Sequence, residues 1–508
     1  MHLSRRHLLK LVTAAGAASM LGGRFATAQA AQVLRIGLST YPPHFRPWAN
    51  IGWSGHLLFS LVNRNLINYD EQGNLVGELV ESWAAVEPDV WEFRLRDAKF
   101  HDGTPVTSED VKWNFEEIAK ENSGAYMYDA LKVIKEVEIV DDKTFRLLTE
   151  GPVATVPALM AYPFFTILKA GSTDVEPQGI GAGPYKIVYA EKGVGIELEP
   201  NEHYFKGQPP LAGISVTAYA DESGRVAAVT AGDVDLIDYV PWSAMEAIEE
   251  NPALKLFKKD AGPFMYLSFN GNGPFKDPRL RQAVAFGLRR DEFVNSVFFG
   301  YGAEMRGLPR AAGSPFYHED QANFWGYDPE RAKQLMKDAG YENGFEVTLL
   351  ATSQYSMHRD TAVLVQSQLA EIGIKVNLQL PDWATRINMG NAGVGDFAVQ
   401  GNAIDVIDPD ATHSIVDPSL SPTYLRSRNF EVEGLSELYA AGRAELDEAK
   451  RVEIYKQVDQ IVLDNTTICG IAYRAQGYAT SAAVKNVPLL PDQIVVYSAT
   501  NFDQISVE

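Results

Sequence analysis

Gly179, Gly181 and Gly183 crowd into five positions of "QGIGAGPYKIV" (residues 178–188) and run into Pro184 and Tyr185. A dinucleotide loop needs G-x-G-x-x-G opening a helix whose first amides face a pyrophosphate. Here the third place falls on Pro184, and Tyr185, Ile187 and Tyr189 alternate with Lys186, Val188 and Ala190, a strand period rather than a helical one. No G-K-[ST] follows to make a P-loop. The segment is therefore read as scaffold entering a strand. "HRD" at 358–360 lacks the Leu and Asn that follow in a kinase catalytic loop, and "GWSGH" is not a nucleophile elbow because Gly55 follows Ser54 directly. The nine histidines include no H-E-x-x-H and no other metal-ligand spacing. Cys469, the only cysteine, excludes an internal disulfide and sits in the apolar run "TTICGIAYR", which favours buried packing over a reactive thiol. No catalytic residue, metal set or cofactor motif emerges, and the chain is read as a non-enzyme. Its many acids leave a carboxylate pair for glycoside hydrolysis open, so an exported hydrolase stays as a remote alternative.

The elements around these residues alternate between strand and helix. "VLRIGLST" at 33–40 reads as a strand, as does "WEFRLR" at 91–96 with Trp91, Phe93 and Leu95 on one face. Asp102-Gly103 makes a turn, and Thr107 with Asp110 forms a capping arrangement that opens a helix. Asp277-Pro278 and Asp328-Pro329 start two more helices, read as closing at Gly300 and Gly340. "TAVLVQSQLAEIG" reads as a helix feeding the strand "IKVNLQL", where Ile374, Val376, Leu378 and Leu380 share a face. The fold class is α/β, built more than once.

The first thirty residues carry Arg5, Arg6, Lys10 and Arg24, no acid, an Ala/Gly/Leu-rich run and "ATAQAAQ", an export signal cut near Ala30. "SRRHLLK" resembles the twin-arginine motif with Leu8 in the place of Phe; an ordinary secretory signal is the alternative. No cysteine lies there to take a lipid, and no later run reaches the roughly 18 apolar residues of a membrane span. The periplasm is the expected compartment. The formal charge of −21 becomes about −25 once the signal is removed, which excludes nucleic acid as a partner. About 480 mature residues suggest roughly three domains.

"ELVESWAAVEPDVWEFRLRDAKFHDGTPVTSEDVKWNF" (residues 78–115) resembles the signature of the family 5 extracellular solute-binding proteins, the peptide and nickel class of ABC-importer receptors. The likeness continues through "GAGPYKIV", "NEHYFKGQPPLAGISV", "GDVDLI", "FNGNGPFKDPRLRQAVAFGLRRDEFV", "YDPERAKQLMKDAGYENGFEVTLL" and "QLAEIGIKVNLQLPDWATR", in order along nearly all of the mature chain. The resemblance implies a two-lobe periplasmic-binding-protein fold of the large type II class with an extra inserted domain. Lobe I is expected at 31–60, 180–262 and 480–508, the insertion at 61–179, and lobe II at 263–479. "GAGPYK", with Ala182 in the place of Thr, would be a crossing between lobes with hinge glycines. Closure on a small polar solute would then be recognised by an inner-membrane ABC permease, with a monomeric receptor.

The resemblance also implies site residues. In "GNAIDVIDPD" (401–410), Asp405 stands four residues before Pro409, where peptide-binding members hold the α-ammonium; capping by Asp405, Asp408 and Asp410 is the alternative, and Asp408 and Asp410 are assigned to it. Trp383 in "PDWATR" matches the family's cleft tryptophan, or is a core residue. Tyr266, Gly401, Ala403 and Tyr473 follow from position along the pattern, the two small residues acting through backbone groups. His358 and Arg359 lie, after a one-residue gap, near the basic group that meets a peptide carboxylate. A peptide or peptide-like solute is expected, with an oligosaccharide, an opine-like conjugate, glutathione-like compounds or a metal complex as alternatives.

Overall fold

Strand Phe264–Phe269 (FMYLSF) buries every residue, which requires cover on both faces and a central place in a sheet. It lies third in a six-stranded sheet ordered Gly302–Glu304, Ile468–Arg474, Phe264–Phe269, Phe397–Asn402, Phe345–Leu350 and Ile374–Gln379. The last three strands run parallel to one another. A second sheet has seven strands, ordered Leu254–Lys259, Gln476–Ser481, Leu236–Ile237, Val33–Leu38, Gly213–Ala218, Gly195–Pro200 and Tyr185–Glu191. At its centre Val33–Leu38 pairs in parallel with both neighbours. A separate four-stranded antiparallel sheet, Val80–Glu87, Val90–Leu95, Thr144–Thr149 and Ile134–Ile139, has its own core in which Phe93 and Phe145 stack at 5.2 Å. The computed structural model describes residues 32–42, 44–49, 53–70, 72–120, 123–125, 127–173, 179–259, 262–403, 407–488 and 502–508.

The two large sheets are the two lobes of the fold. The chain passes from the first lobe to the second between Lys259 and Phe264, and returns through Ala475 between Arg474 and Gln476. "GAGPYK" is at neither place. It leads from the region of the four-stranded sheet into Tyr185–Glu191, so the interlobe crossing expected there is corrected to the two connections just named, Lys259 to Phe264 and Arg474 to Gln476. Its glycines serve close packing. A Cβ on Gly181 would meet Val62 O at 2.2 Å, and one on Gly183 would meet the Val62 carbonyl carbon at 2.4 Å. The scaffold reading of the motif stands, and the strand that it enters is present.

Local signals set several boundaries. Thr107 and Asp110 make a capping box at Ser108–Ile118, and Asp277 and Asp328 accept main-chain N–H bonds at the starts of Pro278–Phe286 and Pro329–Asp338. The single helix expected from Pro278 to Gly300 is two helices, Pro278–Phe286 and Arg290–Ser296. The break at Gly287 is tertiary: a Cβ there would press on Ile372 Cδ1 at 2.8 Å, and the Arg289 amide donates to Gln368 Oε1 at 2.9 Å. Cys469 is fully buried beside Arg290, and burial pushes its thiol up to about 11, so packing is its role. No described helix is long and apolar enough to cross a membrane.

Candidate functional site

In an open α/β sheet, ligands bind beyond the carboxyl ends of the parallel strands. In the first lobe those ends lead to Ser39, Tyr219 and Tyr239; in the second they lead to Ala351–Tyr355, Leu380–Trp383 and Ala403. The two sets face each other. Tyr239 Oη donates to Met357 Sδ at 3.6 Å, Arg474 Nη1 donates to Tyr239 Oη at 3.3 Å, and Ala403 packs into the first-lobe core. Tyr239 has φ +49°, a left-handed conformation unusual for a bulky residue and of the kind held at ligand clamps. Arg225 over-determines it, donating to Tyr219 O and Tyr239 O at 2.8 Å each and to Asp238 O at 3.2 Å. The fully buried Asp238 carboxylate accepts from Ser39 N at 2.6 Å and from the hydroxyls of Ser39 and Ser54; burial raises its pKa. A buried Arg and a buried Asp thus hold the first-lobe wall.

The second-lobe wall is aromatic. Asp382 caps helix Trp383–Asn391 through Thr385 N at 3.0 Å and so presents Trp383 on the first turn. The half-buried Trp383 ring meets Tyr355 at 5.3 Å, His358 at 5.5 Å and Tyr424 at 6.2 Å. Gly401 lies against this group: a Cβ on it would sit 3.4 Å from His358 Nε2, in ordinary contact, and more tightly, at 3.2 Å, from Met265 Sδ. Burial first, then the fields of Arg386 and Arg474, push His358 down to about 3. A neutral imidazole is a hydrogen-bonding group for a carboxylate and not a charge partner.

The remaining expected residues scatter. Arg359 is about half exposed and spends its guanidinium on Asp360 at 2.7 Å. Tyr266 is fully buried and donates to Leu425 O at 2.7 Å, its ring against Phe264. Tyr473 lies edge-on to the same Phe264 at 6.4 Å, with burial raising its phenol pKa. Trp383, His358 and Gly401 are therefore one group with Ala403 at its edge, while Arg359 is turned to solvent. Asp405 lies outside the described residues. Asp408 caps the turn Pro409–Thr412 through Asp410 N at 2.9 Å and pairs with Arg451 at 3.0 Å; Asp410 pairs with Arg443 at 2.9 Å and accepts from Tyr455 Oη at 3.1 Å.

Sequence reasoning missed Tyr239, Tyr355, Arg386, Tyr424 and Arg474. Arg386 had a usable signal, since it stands three residues after Trp383 at the start of a helix and so shares its face. Its guanidinium lies 5.2 Å from the Trp383 ring centroid and 5.0 Å from that of Tyr424. Tyr239, Tyr355 and Arg474 owe their place to strand ends from distant parts of the chain, and Tyr424 to a turn between helices His413–Val416 and Leu435–Ala444.

Residues 74–418 match the model of the bacterial extracellular solute-binding proteins, family 5 (middle). The chain belongs to that family. Its members are solute-binding receptors of ABC importers and not enzymes. Among solved structures, the periplasmic binding protein AgaA from A. tumefaciens R10, in complex with agropinic acid, is 34% identical with a TM-score of 0.85, over 94% of this chain and 99% of that one. The ABC transporter-associated periplasmic binding protein DppA from Helicobacter pylori, in complex with the peptide STSA, shares the fold at 23% identity and a TM-score of 0.81, over 94% of this chain and 98% of that one. Among curated proteins, the glutathione-binding protein GsiB of Pectobacterium atrosepticum is 27% identical over 335 residues, covering 64% of each chain, slightly under two thirds of that relative's length. Di/tripeptide-binding protein 2 of Pseudomonas aeruginosa is 27% identical over 76% of this chain and 79% of its own.

Proposed function

We propose that this protein is the periplasmic receptor of an ABC importer for a small amino-acid-derived solute, opine-like or peptide-like, captured between the two lobes and handed to an inner-membrane permease. The observation that carries the reading is the 34% identity, across almost the whole chain, with a receptor that holds agropinic acid. The aromatic second-lobe wall of Tyr355, Trp383 and Tyr424 supports it, because a compact organic solute buries its surface on such rings. The relatives named for glutathione and for di- and tripeptides bind ligands of the same general chemistry. Asp405 is the acceptor for a ligand ammonium where one is present. The four-stranded sheet within 61–179 is the domain inserted into the first lobe, and the second lobe ends at Arg474, short of the expected 479, because Gln476–Ser481 pairs within the first-lobe sheet. The receptor works as a monomer after export through the twin-arginine translocase.

Mass spectrometry of solute carried through purification, followed by calorimetry with agropinic acid, glutathione and Met-Leu, tests the ligand class. A ligand bound only by the folded state raises stability by about 2.7 kcal/mol at a hundredfold excess over Kd, so melting shifts rank the three compounds. Exclusive binding of an unmodified oligosaccharide or a nickel complex refutes the reading, and a ligand returned cleaved moves the protein to the hydrolases. Export is tested by changing Arg5 and Arg6 to Lys, which strands the precursor in the cytoplasm; normal periplasmic yield assigns the ordinary secretory route instead.

A further inference from the structure

Most buried guanidinium groups of this protein are neutralised by an acid or saturated by carbonyls. Arg310 pairs with Asp459 at 2.6 Å, and Arg64 lies against Glu78 at 3.0 Å. Arg281 and Arg290 have no carboxylate, yet they donate to four and five main-chain oxygens. Arg386 and Arg474 differ. Arg386 has no exposed surface; Nη2 donates to Val399 O and Gln400 Oε1, while Nε and Nη1 have no partner among the described residues. Arg474 is 6% exposed; Nη1 donates to Gln476 Oε1 and Tyr239 Oη, while Nε has no partner. Neither forms an ion pair with a described carboxylate. Two buried cations with orphaned N–H groups are expensive in a fold unless something else meets them.

Both stand at the crevice. Arg386 packs beside the half-buried Trp383 and Tyr424 rings on the second-lobe wall, which meet edge-on at 6.2 Å. Arg474 ends the last second-lobe strand, one residue from the return crossing, and touches Tyr239 of the first lobe. His358, between their fields, is also buried, and its Nδ1 has no partner. We propose that Arg386 and Arg474, both carried by the second lobe, form the receptor for a carboxylate of the solute, with His358 as a neutral hydrogen-bonding neighbour. The proposal deepens the amino-acid-derived reading above and rests on it. It assigns the carboxylate to these two arginines in place of Arg359, which is already paired with Asp360. Because Arg474 also binds Tyr239, a carboxylate drawn to it ties the second lobe to the first.

The test compares acid with ester. Agropinic acid, glutathione and Met-Leu are titrated by calorimetry into wild-type protein beside their methyl esters. Truncating one partner of a buried charged pair weakens binding by about 30-fold to several thousandfold, so the acid that binds is expected to exceed its ester by at least about 30-fold. R386Q and R474Q should each lose most of the affinity for the acid and change little for the ester, so that the variant and the esterification are far from additive. R386K, which keeps the charge but not the planar fork, should retain part of the preference. Circular dichroism of each unliganded variant confirms the fold, and the wild-type acid-to-ester ratio stands without them. Esters that bind as well as their acids overturn the carboxylate receptor while leaving the ligand class intact. Undiminished acid preference in both R386Q and R474Q also overturns it. Failure of folded wild-type protein to bind any of the three acids overturns both the receptor and the ligand class.

Discussion

Gly183→Ala separates a scaffold from a hinge. The added Cβ would sit 2.4 Å from the Val62 carbonyl carbon, 2.7 Å from Asn63 N and 2.7 Å from Leu61 O, all main-chain atoms at the end of helix Trp53–Val62. No rotamer change relieves such contacts. The glycine is also pinned to that helix end by its N–H, which donates to Val62 O at 3.1 Å, and elsewhere by its carbonyl, which accepts from Asn201 Nδ2 at 2.8 Å and His101 Nε2 at 3.2 Å. Overpacking a well-filled site costs about 1–3 kcal/mol, and a main-chain obstacle to a glycine so held places this one at about 3 kcal/mol or more. Gly326→Ala is the internal control, since nothing lies within 4 Å of its Cβ position and its φ is not in the left-handed region; it should be neutral or stabilise by about 0.4–1 kcal/mol. Urea midpoints followed by circular dichroism measure the first effect. Calorimetry below the transition measures ligand affinity, which should match wild type because the segment joins the four-stranded sheet to the first lobe and does not join the lobes. A wild-type urea midpoint in Gly183→Ala, or a stable variant with altered closure in small-angle scattering, would refute the reasoning.

Three further outcomes are expected. Burial pushes His101 down to about 4, so the unfolded state takes up its proton first; stability is full above about pH 6.5 and falls on the order of 3 kcal/mol toward pH 4, a slope that His101→Gln should remove in denaturant titrations across that range. Asp410→Ala should cost about 2–3 kcal/mol in urea denaturation, more than loss of a bare cap, because Arg443 and Tyr455 lose their acceptor, while ligand affinity stays at the wild-type value in calorimetry. Asp405→Ala should weaken binding of an amine-bearing ligand such as Met-Leu by about 30-fold or more, with N-acetylation of the ligand giving the same loss; wild-type affinity in the folded variant removes amine recognition.

What was legible in the sequence was local. The capping box at Thr107 and Asp110, the Asp-Pro helix starts and the alternation in Ile374–Gln379 all depend on neighbours within a few residues, and each has its counterpart in the fold. The hinge assignment failed because glycine content reports close backbone approach without saying what approaches; here it is the end of a helix more than a hundred residues earlier. The helix break at Gly287 was hidden for the same reason, since Ile372 and Gln368 impose it from outside. Of the expected site residues, Trp383, singled out by its motif, stands in the aromatic group, and Arg359 lies one helical position from His358, which does. His358 faces the aromatic group while its neighbour faces water, as adjacent residues on a helix must diverge by about 100°.

Net charge was the strongest compositional signal, and its reach is short of the site. A chain at about −25 repels polyanions over its surface, where screening confines each charge to roughly 8 Å at physiological ionic strength. A solute entering between the lobes meets a different field. There the guanidinium of Arg386 lies against the aromatic wall and that of Arg474 against Tyr239, both buried, and the His358 imidazole is held neutral. A desolvated cation acts far more strongly over a few ångströms than exposed carboxylates do across solvent. The composition that excludes nucleic acid is thus compatible with capture of a small carboxylate. Under the proposal that Asp405 accepts a ligand ammonium, the receptor has one acceptor and two donors, the complement of an amino acid that keeps both of its charged ends. A solute that has lost its free amine by conjugation needs only the two arginines, and the relative effect of Asp405→Ala and R386Q on affinity then tells a peptide from an opine.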